Sequence, residues 1–236
     1  DIGMMIKSFC EAFKKKSAKN RPALILKTSH ATFSIKDRDS ITHKIQQIIA
    51  QYGNNIPEIY LLHGDLSDKE MNSLYNHPKI KAMISFTKGE GFGRPLLEFS
   101  VTGKPVIASN WSGHVDFLNP DYCVMLPGKL SDVDNSAADS FIMKGTKWFT
   151  VDYGYAAGIL QDVVKNYKSY LSKSRKQTQY VKDNFSLERM AEIFKHIVDE
   201  GLKGVPQQVG LKLPKLKKVG TDAPKLKLPK LKKVEA

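Results

Sequence analysis

Five short apolar runs, each separated from the next by a stretch of helical periodicity, constrain this chain more than any other feature of its sequence. The runs are ALILKTSH at 23–30, EIYLLHG at 58–64, KAMISF at 81–86, PVIAS at 105–109 and YCVML at 122–126. None alternates cleanly between polar and apolar residues, so each reads as a strand covered on both faces. Helical patterns lie between them. Met4, Met5, Ile6, Phe9 and Phe13 recur at helical spacing ahead of a KKK run at 14–16. A second stretch covers 38–51 and stops at Gly53 and Asn54, a third starts at Ser67, and a fourth runs from Pro95 to Val101. This alternation predicts an α/β fold with a doubly wound parallel sheet. Such sheets take ligands beyond the carboxyl ends of their strands, which puts the expected chemistry in the loops after residues 29, 64, 86 and 109.

From about Tyr155 the strand pattern gives way to three helical stretches, near 155–173, 175–183 and 186–200, the last with Ser186 as its expected N-cap. Beyond Gly201 the character changes again. LKLPKLKKV occurs at 211–219 and, letter for letter, at 226–234. The unit is short, highly charged and interrupted by proline, so it is expected to stay disordered. The expected division is therefore one domain over 1–200 and a lysine-rich tail over 201–236. The chain starts at Asp1 and enters a helical pattern at once, with no capping or leader segment in view, and reads as a fragment or a processed product.

Hydrophobic residues make up 41% of the chain, enough for a real core, and no apolar run approaches the roughly 18 to 20 residues of a membrane span. The expectation is a soluble, cytoplasmic protein. Cys10 and Cys123 lack the spaced companions of a metal site and read as buried free thiols. The net charge of +13 is unevenly spread: ten lysines against Asp222 and Glu235 give residues 201–236 a charge of +8. The body is only mildly basic, and the tail has no aromatic residue to stack on bases, which argues against specific nucleic-acid reading. The lysines and leucines of the repeats instead suit an anionic membrane surface or an acidic partner.

The segment SFTKGEGFGRPLLEFSVTGKPVIAS, residues 85–109, carries the chemistry. Gly89, Gly91 and Gly93 let backbone approach a ligand closely at a strand-to-helix turn, as a phosphate requires. Glu90 stands in that turn and Glu98 eight residues on. Carboxylates match vicinal hydroxyls, so the pair suits sugar rings on either side of a phosphate bridge.

EGFGRPLLE, with Glu90 and Glu98 bracketing seven residues, resembles the E-x7-E signature of the retaining glycosyltransferases of family 4 (group 1). HGDLSDKEMNSLYNHPKIKAMISF at 63–86 and GKPVIASNWSGHVDFL at 103–118 resemble the segments on either side of it, and the likeness extends over about residues 2–200. The resemblance implies the C-terminal, donor-binding half of a GT-B enzyme, Rossmann-like in fold. It would transfer a sugar from a nucleoside diphosphate sugar, with retention and without a metal or other cofactor. Glu98 would bind the ribose hydroxyls, and Glu90, the catalytic candidate, those of the transferred sugar. The amides of Gly91, Phe92 and Gly93 would meet the phosphates, and Leu66 would lie where backbone contacts the base.

Other side chains at strand ends stay open between two roles. Lys88 is placed either to reach a phosphate or simply to be solvated, and His114 either to contact a hydroxyl or phosphate or to be an ordinary loop histidine. His30, His63 and Lys27 are similarly ambiguous; Trp111 and Trp148 read as packing residues, with Trp111 bordering the cleft. Compared with the complete family pattern, the acceptor-binding N-terminal domain is missing, as is the first strand with the basic pair that follows it. Weak donor binding and little transfer are the expected result. Two alternatives belong to other classes: a non-catalytic nucleotide-sugar-binding module, and an adaptor to anionic surfaces through the lysine tail.

Overall fold

The computed structural model describes residues 1–29, 32–139 and 141–205. The chain divides into two units, Asp1–Ile193 and Phe194–Ala236. The second is described only as far as Val205, as the last turns of a helix and the turn after it; the tail repeats, with their expected disorder, lie outside the described residues, as does His30.

All five expected strands form: β1 (Leu24–Lys27), β2 (Ile59–Leu62), β3 (Met83–Ser85), β4 (Val106–Ser109) and β5 (Val124–Leu126). Their pairings are all parallel, β1 with β2, and β4 between β3 and β5. The α/β architecture is the expected one, with one difference. Among the described residues the ladder comes in two pieces, β1-β2 and β3-β4-β5, with no pairing between β1 and β3. Paired strands stand about 4.8 Å apart, and a cavity separates these two.

Capping side chains account for most helix starts. Helix α1 (Ile2–Phe13) has the cap its sequence did not advertise: the Asp1 carboxylate accepts from the Met4 amide at 3.2 Å. Ser34 caps α2 (Ile35–Ile49), and Ser67 forms a reciprocal capping box with Glu70 at α3 (Asp68–Asn76). Helix α4 (Arg94–Ser100) follows the glycine turn. The three later helices are α5 (Tyr153–Lys165), α6 (Tyr167–Asn184) and α7 (Leu187–Leu202). The first break falls at Asn166 rather than near 173–175, because Asp162 draws both sides of that junction together. Its carboxylate accepts from Asn166 Nδ2 at 2.7 Å and from the Tyr170 hydroxyl at 2.5 Å. Burial, and then this carboxylate, push the Tyr170 phenol up to about 12. Ser186 does cap α7, its Oγ accepting from the Arg189 amide at 3.2 Å.

An antiparallel hairpin of β6 (Gly128–Asp132) and β7 (Lys147–Val151) was not expected. Its sequence shows little alternation because β6 is mostly exposed; Phe149 and Val151 of β7 reach the core.

Helix α1 holds the two half-sheets together. Its Ile6, Phe9, Cys10 and Phe13 share one apolar cluster with Leu24 and Leu26 of the first half-sheet, Ile107 of the second, and Leu160 and Val163 of α5. A second cluster packs Leu96 and Phe99 of α4 against Val106, Phe117 and Leu118. Both cysteines are free thiols; burial pushes Cys123 up to about 12 and also raises Cys10. Among the described residues, no helix is long and apolar enough to cross a membrane.

One polar side chain joins α6 to this core. Gln177 is fully buried, donates through Nε2 to the Phe117 carbonyl at 2.6 Å, and accepts from the Asn119 amide at 3.2 Å. Gln177→Leu leaves both backbone groups unpaired, and the expected loss is about 2 kcal/mol. In urea unfolding the midpoint should fall while the slope stays unchanged.

Candidate functional site

Strand β3 ends at Ser85, and after Phe86 the chain makes the turn Thr87–Gly93 before entering α4. Gly93 closes this turn at φ 89°, in the left-handed region, where an added Cβ would lie 3.0 Å from His114 Cβ. Glycine is needed there for both conformation and space.

The loop after β4 clasps this turn through backbone. Ser112 Oγ accepts from the Glu90 amide at 3.0 Å and donates to the Glu90 carbonyl at 2.6 Å. The Gly113 amide donates to the same carbonyl at 3.0 Å. To reach this position Ser112 adopts φ 79°, and among the described residues it is the only non-glycine with positive φ. A left-handed serine is costly, so the clasp outweighs real strain. Contact is closest at Gly113, where a Cβ would lie 2.2 Å from the Gly91 carbonyl oxygen.

His114 lies beneath this junction and is fully buried. Its Nε2 is 2.6 Å from the Ser109 carbonyl. A carbonyl only accepts, so Nε2 carries the proton. The ring's Nδ1 is buried without a hydrogen-bond partner. The imidazole is thus enclosed by protein and packs against the turn from the core side.

Lys88 is engaged on two sides. Its Nζ lies 4.1 Å from the centroid of the Trp148 ring and 3.4 Å from Asp1 Oδ2. Burial holds its pKa below the usual lysine value. The Asp1 ammonium, which donates to the Phe86 carbonyl at 2.7 Å, is pushed down by burial and then by Lys88, while Glu90 pulls it upward. Asp1, Lys88 and Glu90 therefore share one electrostatic neighbourhood. The hairpin joins it as well: the Phe149 amide donates to the Lys88 carbonyl, and Trp111 stacks on Phe149 at 6.0 Å with planes 3° apart.

Glu98, on α4, is half-exposed and pairs with Arg94 Nε one turn earlier at 2.8 Å. An exposed pair of this spacing is worth only about 0.3 to 0.5 kcal/mol, so a hydroxyl-bearing ligand can displace it cheaply. Leu66, in the loop after β2, is partly buried at the mouth of the cavity with Asp65, Thr28, Thr87 and Pro95. Lys27 is occupied, its Nζ donating to the Gly64 carbonyl at 2.7 Å. His63 lies edge-on to Phe33. No group of three or more His, Cys, Asp or Glu among the described residues is placed to hold a metal ion.

Glu90, the Gly91–Gly93 backbone, Lys88 and Glu98 thus lie along one turn and the helix after it. Sequence reading passed over Ser112 and Phe149, and took Trp148 only as a packing residue. For Ser112 a signal existed, since Ser-Gly directly after a buried strand marks a turn; for the hairpin aromatics none did.

The clasped glycine turn and the two glutamates eight residues apart belong to a parallel α/β domain. The profile of the family described as "Glycosyl transferases group 1" matches residues 8–138, and this chain belongs to that family. Comparison with curated proteins found no match. Among solved structures, a glycosyltransferase from Rickettsia africae ESF-5 superposes with TM-score 0.56 at 20% identity, covering 86% of this chain and 45% of that one. The N-terminal domain of Candida albicans trehalose-6-phosphate phosphatase gives TM-score 0.58 at 18% identity, covering 84% of this chain and 38% of that one. HepE of Anabaena, solved in complex with UDP-glucose, gives TM-score 0.56 at 12% identity, covering 84% and 44%. These likenesses show the Rossmann-like fold of a GT-B half. The chain spans less than half the length of each of the three structures.

Gly113→Ala forces a methyl group against the Gly91 carbonyl, and overpacking of this sort costs about 1 to 3 kcal/mol. The variant should unfold at lower denaturant, and hydrogen exchange should speed up specifically over residues 87–93.

Proposed function

We propose that this chain is the donor-binding half of a retaining glycosyltransferase, holding a nucleoside diphosphate sugar across the loops that follow β2, β3 and β4. The observation that carries this reading is the clasp of Ser112 and Gly113 on Glu90. It fixes the glycine turn ahead of any ligand, so that binding need not order it, and preorganisation of this kind is where affinity is gained.

Each residue then has a role. Glu98 leaves Arg94 to accept hydrogen bonds from the ribose hydroxyls, and the Leu66 backbone meets the base. The amides of Gly91, Phe92 and Gly93 face the diphosphate, with Lys88 supplying positive charge from its seat on Trp148. Glu90 orients the hydroxyls of the transferred sugar. As the bond from the anomeric carbon to the diphosphate oxygen lengthens, negative charge grows on the leaving group, and the amides and Lys88 stabilise it there. His114, enclosed by protein, supports the turn rather than the ligand. The donor binds without a divalent cation, and the acceptor, of unknown identity, is held by a second GT-B domain. In this reading residues 1–200 form the donor domain, and residues 201–236 tether a cytoplasmic protein to an anionic membrane surface or an acidic partner. The UDP-glucose in HepE of Anabaena favours a nucleotide sugar as the ligand class.

Calorimetric titration with UDP, GDP and ADP and their sugars tests these roles. Glu98→Ala should weaken binding of plain nucleoside diphosphate by about 1.5 to 3 kcal/mol, the range for hydrogen bonds to a charged group. Glu90→Ala should leave that affinity nearly intact and remove the added affinity contributed by the sugar. Equal losses on plain nucleoside diphosphate would sink the assignment, and abolition of binding by EDTA would overturn the metal-free reading.

A further inference from the structure

Two aromatic side chains from distant segments meet beside the glycine turn, and one of them leaves a ring face open. Trp111, in the loop after β4, lies parallel to Phe149 of β7; Phe149 is buried, whereas Trp111 is 43% exposed. With centroids 6.0 Å apart and planes nearly parallel the rings are offset, an arrangement their quadrupoles favour. Phe149 is a fixed backing. An added Cβ at Gly128 would lie 2.7 Å from its ring, so the ring fills space that only glycine leaves, and its amide donates to the Lys88 carbonyl at 3.2 Å. One face of the indole is thus covered by protein, and the open area lies on the other face and the edge.

The clasp determines where that open face stands. Ser112 follows Trp111 directly, about 3.8 Å away at Cα, and its Oγ holds both backbone groups of Glu90. The Glu90 carboxylate is half-buried and, among the described residues, has no hydrogen-bond or ion-pair partner. The indole N–H of Trp111 is equally unpaired among them. A free acceptor and a free donor therefore stand on two clasped loops beside an open aromatic face.

A pyranose ring meets all three features. Where its hydroxyls are equatorial, its axial C–H bonds make a weakly positive, apolar face that suits the negative face of an indole, and its rim of hydroxyls both donates and accepts. A nucleobase also stacks, but the nucleoside has its place elsewhere. Strand β3 pairs with β4 along one edge and faces the cavity, with β1 across it, along the other. Trp111, after β4, therefore lies on the opposite side of the Glu90 turn from Leu66, after β2.

We propose that the open face of Trp111 is a stacking platform for a pyranose ring whose hydroxyls bond to the Glu90 carboxylate and the Trp111 N–H, with Phe149 as its backing. The ring is carried either by the donor, as the transferred sugar, or by a saccharide acceptor, since both present the same C–H face. The inference rests on the donor-binding reading for the place of the nucleoside.

Trp111 and Trp148 are the chain's two tryptophans, so Trp148→Phe, which keeps an aromatic ring under Lys88, leaves Trp111 as the sole indole emitter. The full chain carrying this change is titrated with cellotetraose, maltotetraose and mannotetraose, with UDP-glucose, GDP-mannose and ADP-glucose, and with the plain nucleoside diphosphates. Trp111 emission should respond to saccharide or to nucleotide sugar and not to plain diphosphate. A response to a tetrasaccharide without nucleotide assigns the ring to the acceptor; a response to nucleotide sugar alone assigns it to the donor. In calorimetry, Trp111→Ala should weaken the same ligand about tenfold and Trp111→Tyr far less, with plain diphosphate affinity unchanged in both. Silence of Trp111 towards every sugar would overturn the proposal, because stacking reads a C–H face that these sugars share. So would unaltered sugar affinity in Trp111→Ala, or a response to plain diphosphate as large as that to nucleotide sugar, which would make Trp111 a base-stacking residue. Tetrasaccharide binding in a chain that binds no diphosphate would sink the donor-binding reading and leave the platform standing.

Discussion

Everything distinctive about this domain depends on the clasp between two loops at the carboxyl ends of β3 and β4. Ser112 holds the amide and the carbonyl of Glu90, and Gly113 takes the same carbonyl again. The arrangement requires a left-handed serine at 112 and a backbone approach at Gly113 that tolerates no side chain. Strain at one residue is offset by three hydrogen bonds, and the glycine turn, otherwise among the freest segments in the chain, is held in one conformation. The position of α4 follows from this, because its first residue succeeds Gly93 directly.

The electrostatics around the clasp differ on its two sides. Lys88 is partly desolvated, seated on Trp148 and close to Asp1, so its charge is held in place at the cost of a lowered pKa. Glu98 is held loosely by Arg94 at the surface. In the proposed donor-binding reading, a charge that meets a diphosphate benefits from being held, since it then pays no ordering entropy on binding. In the same reading, a carboxylate that accepts hydroxyls benefits from a partner that leaves easily.

The helices and parallel strands were legible in the sequence because their signals are local: buried apolar runs for β1 to β5, and Ser67 or Ser186 for helix starts. The E-x7-E spacing was legible for the same reason, since both glutamates lie on one turn and one short helix. What was not legible depends on contacts between distant segments. The β6-β7 hairpin leaves most of β6 exposed and so writes little alternation into the sequence. The break at Asn166 comes from Asp162 reaching two partners in three dimensions. His114 stands in a loop, where a histidine is usually wet, yet the clasp closes over it. The division of the sheet into two halves emerged only from the pairing.

That division bears on the site itself. Leu66 and Lys27 belong to the first half-sheet, whereas Glu90, Glu98 and the clasp belong to the second. Among the described residues no ladder joins these halves, and their registry depends on α1, whose Phe9 and Phe13 pack in one cluster with β1 and β4. Apolar packing resists separation but specifies sliding poorly, while a hydrogen-bonded ladder fixes register to the residue. Any ligand that spans the loops after β2 and β3 must therefore set the spacing of the two halves as well as make its contacts. The free energy used for that ordering is subtracted from its affinity.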